Sequence, residues 1–357
     1  MQKVSDPILS PAPIVSVLMS VYNGAPYLTE SIRSVLEQTF TGFEFLVFDD
    51  GSTDESVAII QGFSDPRIYL VRNRTNIGLS ESLNIGLGLA RGKYVARMDH
   101  DDVCLPERLS RQVAFMEAHP EIGICGTWVE TIGNSAGQIW KHPTDSDTIN
   151  CTHIFGPALV HPSFMIRKEM LDECCLFYDP SFKRAQDFDY LVRASQYTSL
   201  ANIGEVLLRY RLHTQQVGQM HNEEQFACAG KVRLGLLLNL GITPTAEEFN
   251  IHQSISSWRF NADQFYLDKV EIWLCRLIDA NKKAGVYPEK IFFEILCRRW
   301  LEACYALTEL GPRTFKKYLF SPLSCKMGAH WYRRVSFFIN CLLWRRGMGA
   351  NVAVINK

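Results

Sequence analysis

The sequence lacks the features that mark exported, membrane-spanning and zinc-binding proteins. Its 11 cysteines are an odd number with no C-x-x-C pair, which excludes a regular zinc-ligand spacing and argues against a disulfide framework. No long apolar run follows Lys3 near the N-terminus, as a signal peptide would need. The most apolar late stretch, VSFFINCLLW (335–344), is about half as long as a bilayer span. We therefore expect a protein of the reducing cytosol that does not cross the membrane.

A strong charge bias is also absent. The 37 Lys and Arg residues nearly balance the 38 Asp and Glu residues, which leaves a net charge of −1. That balance predicts no global attraction to nucleic acid or to a membrane, so any such attraction must come from a local patch. The chain of 357 residues is 47% hydrophobic, which is ordinary for a core-forming protein, and its length suits one large domain with an appendage. We expect no nucleic-acid partner.

The first half has neither a G-x-G-x-x-G nor a G-x-x-x-x-G-K-[ST] phosphate loop, yet its pattern is typical of a nucleotide-binding sheet. Apolar runs alternate with segments of helical spacing, which predicts strands at 14–22, 43–50, 68–73 and 93–99 and helices at 27–38 and near 80–90. Such alternation predicts an α/β fold with a Rossmann-like, mostly parallel sheet flanked by helices. A capping box is expected at STDE, with Ser52 as the N-cap and Glu55 three residues later.

The rest of the chain is mixed and then helical. The pattern predicts a helix after Pro106, strands at 122–132, 158–167 and 205–213, and a helix at 186–197. Beyond about residue 220 the apolar spacing is helical throughout. The expected organisation is a leader over 1–13, an α/β domain over 14–215 and a helical C-terminal region over 216–357.

The segment VARMDHDD (95–102) ends an apolar strand with Asp99, Asp101 and Asp102. A solvated acidic loop is the plain interpretation, since carboxylates are usually exposed. The alternative is a site for Mg²⁺ or Mn²⁺, because a hard divalent ion takes carboxylate oxygens, offsets their repulsion and leaves positions open for phosphate. Asp49 and Asp50 also end a predicted strand, and ligands of parallel sheets sit at the carboxyl ends of strands. The two acidic groups should therefore share one crevice.

Several motifs, in order along the chain, resemble those of the inverting, family 2 glycosyltransferases of the GT-A fold. They are VSVLMSVYNGAPYLTESIRSVLEQTF, FLVFDDGSTDES, NIGLSESLNIGLGLARGKYVARMDHDD and LPERL, and the resemblance covers residues 14–215. It implies a metal-dependent enzyme, with Mn²⁺ or Mg²⁺ as cofactor, that transfers a sugar from a UDP- or dTDP-type donor to a hydroxyl of a saccharide or lipid-linked acceptor. The same resemblance implies a role in surface polysaccharide, lipopolysaccharide or glycolipid synthesis.

The resemblance also implies roles around the metal. Asp99 would lie against the donor ribose, and Asp101 would bind the metal that bridges the two donor phosphates. His213, at the end of VLLRYRLH, lies near the metal or the diphosphate in some relatives and would be a second metal ligand. Arg209 and Arg211 alternate along the same predicted strand, and the simplest interpretation is that they are solvated.

Other residues would line the donor pocket by the same resemblance. Ser20, Tyr22 and Asp50 match positions around the base and ribose, where a tyrosine can stack on a pyrimidine and a carboxylate can accept from its N–H. A packed core tyrosine is the alternative for Tyr22. Asn76 and Gly78 would form the turn beside the donor, where glycine permits close backbone approach.

The segment AQDFDYLVR has Gln186-Asp187 where family members usually carry a Glu-Asp pair whose Asp is the catalytic base. Asp187 keeps that role, and without a neighbouring negative charge its pKa should be raised less. Asp189 points elsewhere on the helix and is expected to be an N-terminal helix charge favoured by the dipole. His161, in HPSFMIR, borders the acceptor side in the family. It either contacts the phosphate or acceptor or is a hydrogen-bonded, half-buried histidine.

No Asp or Glu follows Glu309, yet basic and aromatic residues continue to the end of the chain. The residues near 326–346 include Lys326, Trp331, Arg333, Arg334, Phe337, Phe338, Trp344, Arg345 and Arg346. This mixture predicts an in-plane helix on an anionic membrane, which would place the protein on the inner face of the cell membrane. A helix packed on its own domain, or a nucleic-acid patch, is the alternative.

Two other functions fit an acidic site on such a sheet less well. A nucleotidyltransferase that makes nucleotide-sugars is expected to carry a Gly-rich, basic triphosphate loop near its N-terminus, whereas VYNGAPYL has one Gly and no basic residue. A non-catalytic nucleotide-sugar-binding scaffold would more readily have lost Asp101 or Asp187. Both are present, so glycosyl transfer is favoured.

Overall fold

The chain divides into two units, residues 1–149 with 157–229, and residues 150–156 with 230–357. The computed structural model describes residues 2–3, 12–213, 222–261, 265–324 and 331–343. The short segment 150–156 therefore belongs to the unit that contains the C-terminal helices.

A ten-stranded sheet organises the first unit. Its strands are β1 Gln2–Lys3, β2 Val15–Val21, β3 Phe43–Asp49, β4 Ile68–Arg72, β5 Tyr94–Asp99, β6 Val103–Cys104, β7 Ile122–Gly133, β8 Ile139–Trp140, β9 Met165–Arg167 and β10 Ser199–Leu212. Their order is β1-β4-β3-β2-β5-β9-β7-β10-β6, with β8 paired to β7. The strands β4, β3, β2 and β5 are parallel, as are β7 and β10, while the remaining pairs are antiparallel.

Helices cover both faces of this sheet. They are α1 Ala25–Leu36, α2 Ser56–Gln61, α3 Leu79–Leu89, α4 Arg108–Ala118, α5 Ser146–His153, α6 Lys168–Cys174 and α7 Gln186–Ala194. Successive residues of a strand face opposite sides. In β5, Ala96 and Met98 accordingly share a core with α1 and α4, whereas Val95 shares a core with α3 and α7. The predicted α/β architecture is thus confirmed.

Two local predictions in this unit are wrong. The segment 158–167 is not one strand, because His161–Ser163 forms a 3₁₀ turn that includes Pro162, and only Met165–Arg167 pairs in the sheet. The expected capping box does not form either, since α2 begins at Ser56 and has no side-chain cap. The Ser52 hydroxyl instead accepts from the N–H of Asn23 at 3.0 Å. Because Asp54 also accepts from the N–H of Ala25 at 3.0 Å, this loop caps α1.

The second unit is helical, as the sequence predicts. Its elements are the end of α8 Asn222–Asn239, then α9 Ala246–Ser257, α10 Tyr266–Ala284, α11 Glu289–Ala306, α12 Pro312–Phe320 and α13 Trp331–Leu342. Thr245 and Glu248 form a capping box at the start of α9, and Trp273 and Trp300 fill the core between helices. Among the described residues, no helix combines the length and the apolar composition that crossing a bilayer requires.

The end of the chain corrects part of the membrane expectation. Phe337 is only 2% exposed and packs against Tyr305, Phe315 and Tyr318, with ring centroids 5.4 to 5.9 Å away. It therefore belongs to the core of its own unit, whereas Phe338 is 40% exposed. Lys326, Trp344, Arg345 and Arg346 lie outside the described residues, as do the side chains of Trp331, Arg333 and Arg334.

Candidate active site

Three carboxylates converge where β5 ends. Asp99 is the last residue of the strand, and Asp101 and Asp102 follow it after His100. One oxygen from each lies within 4.8 Å of the others. Asp102 is fully buried, while Asp99 and Asp101 are partly buried. A solvated acidic loop is therefore the wrong interpretation of this segment.

Asp102 is the most enclosed member of the group. One carboxylate oxygen accepts from the backbone N–H of Arg211 at 2.7 Å, and its carbonyl accepts from the Ser31 hydroxyl at 2.6 Å. Burial, together with the charges of Asp101 and Asp99, raises the pKa of Asp102 well above its ordinary value. The other oxygen, Oδ2, has no hydrogen-bond partner among the described residues. A buried oxygen left in this state is open to a cation.

The end of β10 holds the acidic loop in place. The Arg211 guanidinium donates to the carbonyl of Asp101 at 2.7 Å, pairs with Glu30 at 2.5 Å and lies over the ring of Tyr27. Nε2 of His213 lies 2.9 Å from a carboxylate oxygen of Asp101. The expectation that Arg211 is solvated is thus wrong.

Arg209 behaves as the alternation predicts. Its side chain is about half exposed and pairs with Glu130 at 3.1 Å on the strand surface. Arg209 is therefore a surface residue, whereas Arg211 of the same strand contacts the acidic loop.

The strand ends gather as expected for a parallel sheet. In register, Ser20 of β2 is opposite Asp99, and Val21 is opposite Asp49 at the end of β3. Nδ1 of His100 lies 3.3 Å from the carbonyl oxygen of Ser20. A Cβ at Gly24 would meet the His100 ring at 2.4 Å, so any other residue here would force that ring to move. The two acidic groups lie at the same sheet edge.

Asp50 organises the loop that follows β4. It accepts from the Asn73 side chain at 2.9 Å and from the N–H groups of Ile77 and Gly78 at 3.0 and 2.9 Å. Gly78 has φ of +95° with open space where a side chain would be, so glycine is required by this backbone angle. Asn76 is exposed on the same loop. The roles of Asp50, Asn76 and Gly78 in binding the donor remain predictions. A nucleobase bound there would share the carboxylate oxygens of Asp50 with the hydrogen-bond donors from this loop.

Tyr22 is 46% exposed just beyond the end of β2. The packed core tyrosine is therefore the wrong alternative, and the ring is available for stacking. Ser20, two residues earlier, is nearly buried. Contact of either residue with a donor remains a prediction.

Asp187 lies in the first turn of α7, after Ala185 with φ of +55°. Burial raises the pKa of Asp187, while the positive charge of Arg97 opposes that rise. Asp189 is already occupied, because it pairs with Arg193 at 2.7 Å on the same helix. Asp187 is thus the carboxylate of this helix that is better placed to accept a proton.

Arg97 is a site residue that the sequence analysis missed. It is 3% exposed within an apolar strand and forms an ion pair with Asp99. Residues two apart on a strand point to the same face, so the pattern Arg-x-Asp at a strand end was the available signal.

His161 is buried, and its Nε2 lies 2.8 Å from the hydroxyl of Tyr178. Burial and the charge of Arg97 lower the pKa of His161 well below its ordinary value, so the ring is neutral. Of the two interpretations of His161, the structure agrees with the hydrogen-bonded histidine, although the side chain is buried and not half-buried. An acceptor contact at His161 remains a prediction.

The donor set of the acidic cluster fits a hard divalent cation. It offers several carboxylate oxygens, one of them buried and without a partner among the described residues. Oxygen-only ligands of this kind suit Mg²⁺ and Mn²⁺ better than soft metals. His213 touches Asp101, and its role as a ligand remains a prediction.

Comparison with known proteins agrees with this geometry. The family model described as "Glycosyl transferase family 2" matches residues 16–175. An uncharacterized glycosyltransferase of Haemophilus influenzae is 34% identical over 233 residues, which cover 62% of this chain and 72% of the relative. One from Methanocaldococcus jannaschii is 35% identical over 209 residues, 56% of this chain and 71% of the relative.

Among solved structures, S. aureus TarS (residues 1–349) has the same fold. It superimposes with a TM-score of 0.54 at 17% identity, over 91% of this chain and 88% of that one. TarS has also been solved with UDP and with UDP-GlcNAc. The chain described here belongs to glycosyltransferase family 2 and has the GT-A fold. It is a glycosyltransferase.

Metal-dependent nucleotide binding tests the acidic cluster. Asp101→Ala removes a carboxylate from it, so calorimetry should show that Mn²⁺ no longer strengthens UDP binding, with the fold intact by circular dichroism. Asp172→Ala is the control, because this exposed carboxylate pairs with Lys168 outside the cluster. Equal affinity of the wild type for UDP with and without Mn²⁺ would contradict the metal site.

Proposed function

We propose that this protein is a metal-dependent, inverting glycosyltransferase that uses a UDP- or dTDP-type sugar. The acceptor is a hydroxyl of a saccharide or lipid-linked acceptor, in surface polysaccharide, lipopolysaccharide or glycolipid synthesis. The observation that carries the proposal is the meeting of Asp99, Asp101 and Asp102 at the end of β5. Asp187 on α7 is close enough that, besides burial, the charge of Asp99 raises its pKa.

The donor nucleotide lies across the ends of β2 and β3 in this proposal. The exposed ring of Tyr22 stacks on the base, Ser20 and Asp50 line the pocket, and Asp99 accepts from the ribose hydroxyls. The loop with Asn76 and Gly78 closes the pocket, held by Asp50. TarS, which shares the fold, was solved with UDP-GlcNAc, and this makes UDP-sugars the first donors to test.

Asp101, with Asp99 and Asp102 beside it, would hold Mn²⁺ or Mg²⁺, and His213 is placed to join them. The cation supplies positive charge for the diphosphate as it leaves. The chain itself supplies the fixed frame, since Arg211 and Ser31 tie the acidic loop to β10 and α1.

Asp187 is the general base of the transfer. As the acceptor oxygen forms its bond to the anomeric carbon, the bond from that carbon to the diphosphate oxygen breaks, and the acceptor proton moves to the Asp187 carboxylate. Such a proton transfer contributes roughly 10²–10⁴-fold to the rate. Burial that raises the pKa of Asp187 makes it a stronger base than an exposed carboxylate.

Asp187→Asn keeps the shape of the side chain and removes the proton acceptor. Donor affinity should survive, while kcat falls by roughly 10²-fold or more. In the wild type, kcat should fall on acidification through a pKa above the ordinary Asp value, because only the ionised carboxylate accepts a proton, and the variant should lack this limb. UDP release from a panel of UDP-sugars with Mn²⁺, followed at several pH values, measures kcat and its pH dependence, and the KM of the UDP-sugar reports donor affinity.

Asp189→Asn is the matched control for this measurement. It removes a carboxylate two residues away that pairs with Arg193, so kcat should change little. A near wild-type rate for Asp187→Asn would show that the base lies elsewhere, and a large loss in the control would point to Asp189.

We further propose that the C-terminal helices dock on an anionic membrane, which would place the enzyme on the cytoplasmic face. Exposed apolar residues support this: Leu319 and Phe320 on α12, and Phe338, Ile339 and Leu342 on α13, with Leu343 just after it. Arg313 and Lys316 are exposed on α12. The absence of acidic residues after Glu309 removes repulsion from anionic lipid.

Charge alone holds such a surface weakly. Each basic residue near anionic lipid contributes about 1 kcal/mol. The five basic residues Lys326, Arg333, Arg334, Arg345 and Arg346 would therefore contribute about 5 kcal/mol at most, which corresponds to near-millimolar affinity. Apolar insertion must add the rest, at roughly 1.5–3 kcal/mol for each fully buried side chain. Phe337 contributes nothing to this insertion, because it is already buried in the protein.

Vesicle sedimentation tests the membrane surface. The wild type should bind phosphatidylserine-containing vesicles reversibly, lose part of the binding in high salt, and ignore phosphatidylcholine vesicles. Replacing Leu342 and Leu343 together by Ser should weaken binding at least tenfold, whereas Leu238→Ser, an exposed leucine of α8, should not. Absence of wild-type binding at low salt would identify α13 as a helix that only packs on its own unit.

A further inference from the structure

Arg97 carries a full charge inside an apolar strand. Its side chain is 3% exposed, and an uncompensated charge at this depth would be expensive. Its compensation comes from the ion pair with Asp99 at the end of the same strand. The ion pair therefore ties the guanidinium to the donor side of the proposed site.

Arg97 lies on the face of β5 that is directed toward α7, the helix of Asp187. Val95 packs in one core with Tyr190 and Leu191 of α7. Because alternate strand residues share a face, Arg97 and Asp99 project toward the same layer as Val95. Asp187 is in the first turn of that helix, so Arg97 projects from the strand of Asp99 toward the layer that contains the helix of Asp187.

The electrostatics agree with this position. The charge of Arg97 acts on Asp187 against the burial that raises its pKa, and the charge of Asp99 acts the other way. Arg97 also acts on Asp102 and on Tyr178. Tyr178 in turn stacks on Tyr190 of α7 at 4.4 Å between ring centroids. One buried cation, in contact with Asp99, thus acts electrostatically on carboxylates from two separate elements.

We propose that Arg97 is a positioning residue that couples the donor-side carboxylate Asp99 to the base Asp187. This inference rests on the proposed function, because it takes Asp187 as the base. Without this cation, the repulsion between the two carboxylates would no longer be offset, and the position of Asp187 relative to Asp99 would change. A misplacement of about 1 Å at reacting groups lowers rates by about 10²-fold.

The predicted signature is a fall in kcat that depends on Asp187. Arg97→Met should lower kcat for UDP release by about 10²-fold, while the KM of the UDP-sugar and the affinity for UDP with Mn²⁺ change much less. Arg97→Lys keeps the charge and should recover part of the loss. In the Asp187→Asn background, Arg97→Met should lower kcat by less than about threefold, because the group that it positions is already gone.

Arg167→Met is the control for losing a structural arginine. Arg167 ends β9 opposite Tyr94 at the other end of β5, and it donates to the carbonyls of Ile122 and Met116. Its loss should lower thermal stability without changing kcat of the folded protein. Should Arg97→Met fail to fold, Arg97→Lys with and without Asp187→Asn completes the same cycle.

The outcomes separate the two hypotheses. If Asp187→Asn lowers kcat but Arg97 variants match the wild type, or if the two losses multiply in the double variant, the coupling role is overturned and the base assignment stands. If Asp187→Asn leaves kcat unchanged, the base assignment fails, and the coupling fails with it. A loss that appears only as raised KM would show that Arg97 serves donor binding alone.

Discussion

Repulsion among carboxylates that are buried or partly buried is the constraint on which this site depends. Burial raises the pKa of Asp102 and of Asp187, and neighbouring carboxylates add to it: Asp101 and Asp99 for Asp102, and Asp99 for Asp187. Such a cluster persists only where opposite charge and donors hold it. Within the chain, Arg97 of β5 supplies positive charge to Asp99, and Arg211 of β10 donates hydrogen bonds to Asp101 and Asp102. A divalent cation in the proposed site would neutralise the remaining negative charge.

The fold brings these groups together by simple means. Parallel pairing of β3, β2 and β5 puts three strand ends at one edge, and the long β10 returns antiparallel to β6 just beyond the acidic loop. Gly24 lets α1 start against His100, and the loop after β3 caps that helix. The acidic loop is thereby held from several sides, while Tyr22 and Asn76 remain exposed around it.

Periodicity and motifs predicted the parallel strands, both helical layers and the acidic cluster, because these follow from local apolar spacing and from residues close in sequence. Contacts between distant residues escaped prediction. Arg211 looked like a solvated strand residue, since nothing local shows that Asp101 and Glu30 meet it. Ser52 looked like the N-cap of α2, yet its hydroxyl accepts a hydrogen bond from the backbone N–H of Asn23. The segment 158–167 looked like one strand, yet a 3₁₀ turn at His161–Ser163 interrupts it. Phe337 is buried by partners on α11 and α12 that its own segment does not reveal.

In the proposed mechanism one base, Asp187, promotes a single displacement at the anomeric carbon of a donor held at the end of β5. Because one displacement leaves no covalent intermediate, the new glycosidic bond must have the anomeric configuration opposite to that of the donor. Proton NMR of the product, read from the coupling of the anomeric proton of the transferred sugar, measures this directly. We expect inversion of the anomeric configuration. A product that retains the donor configuration would contradict the single displacement.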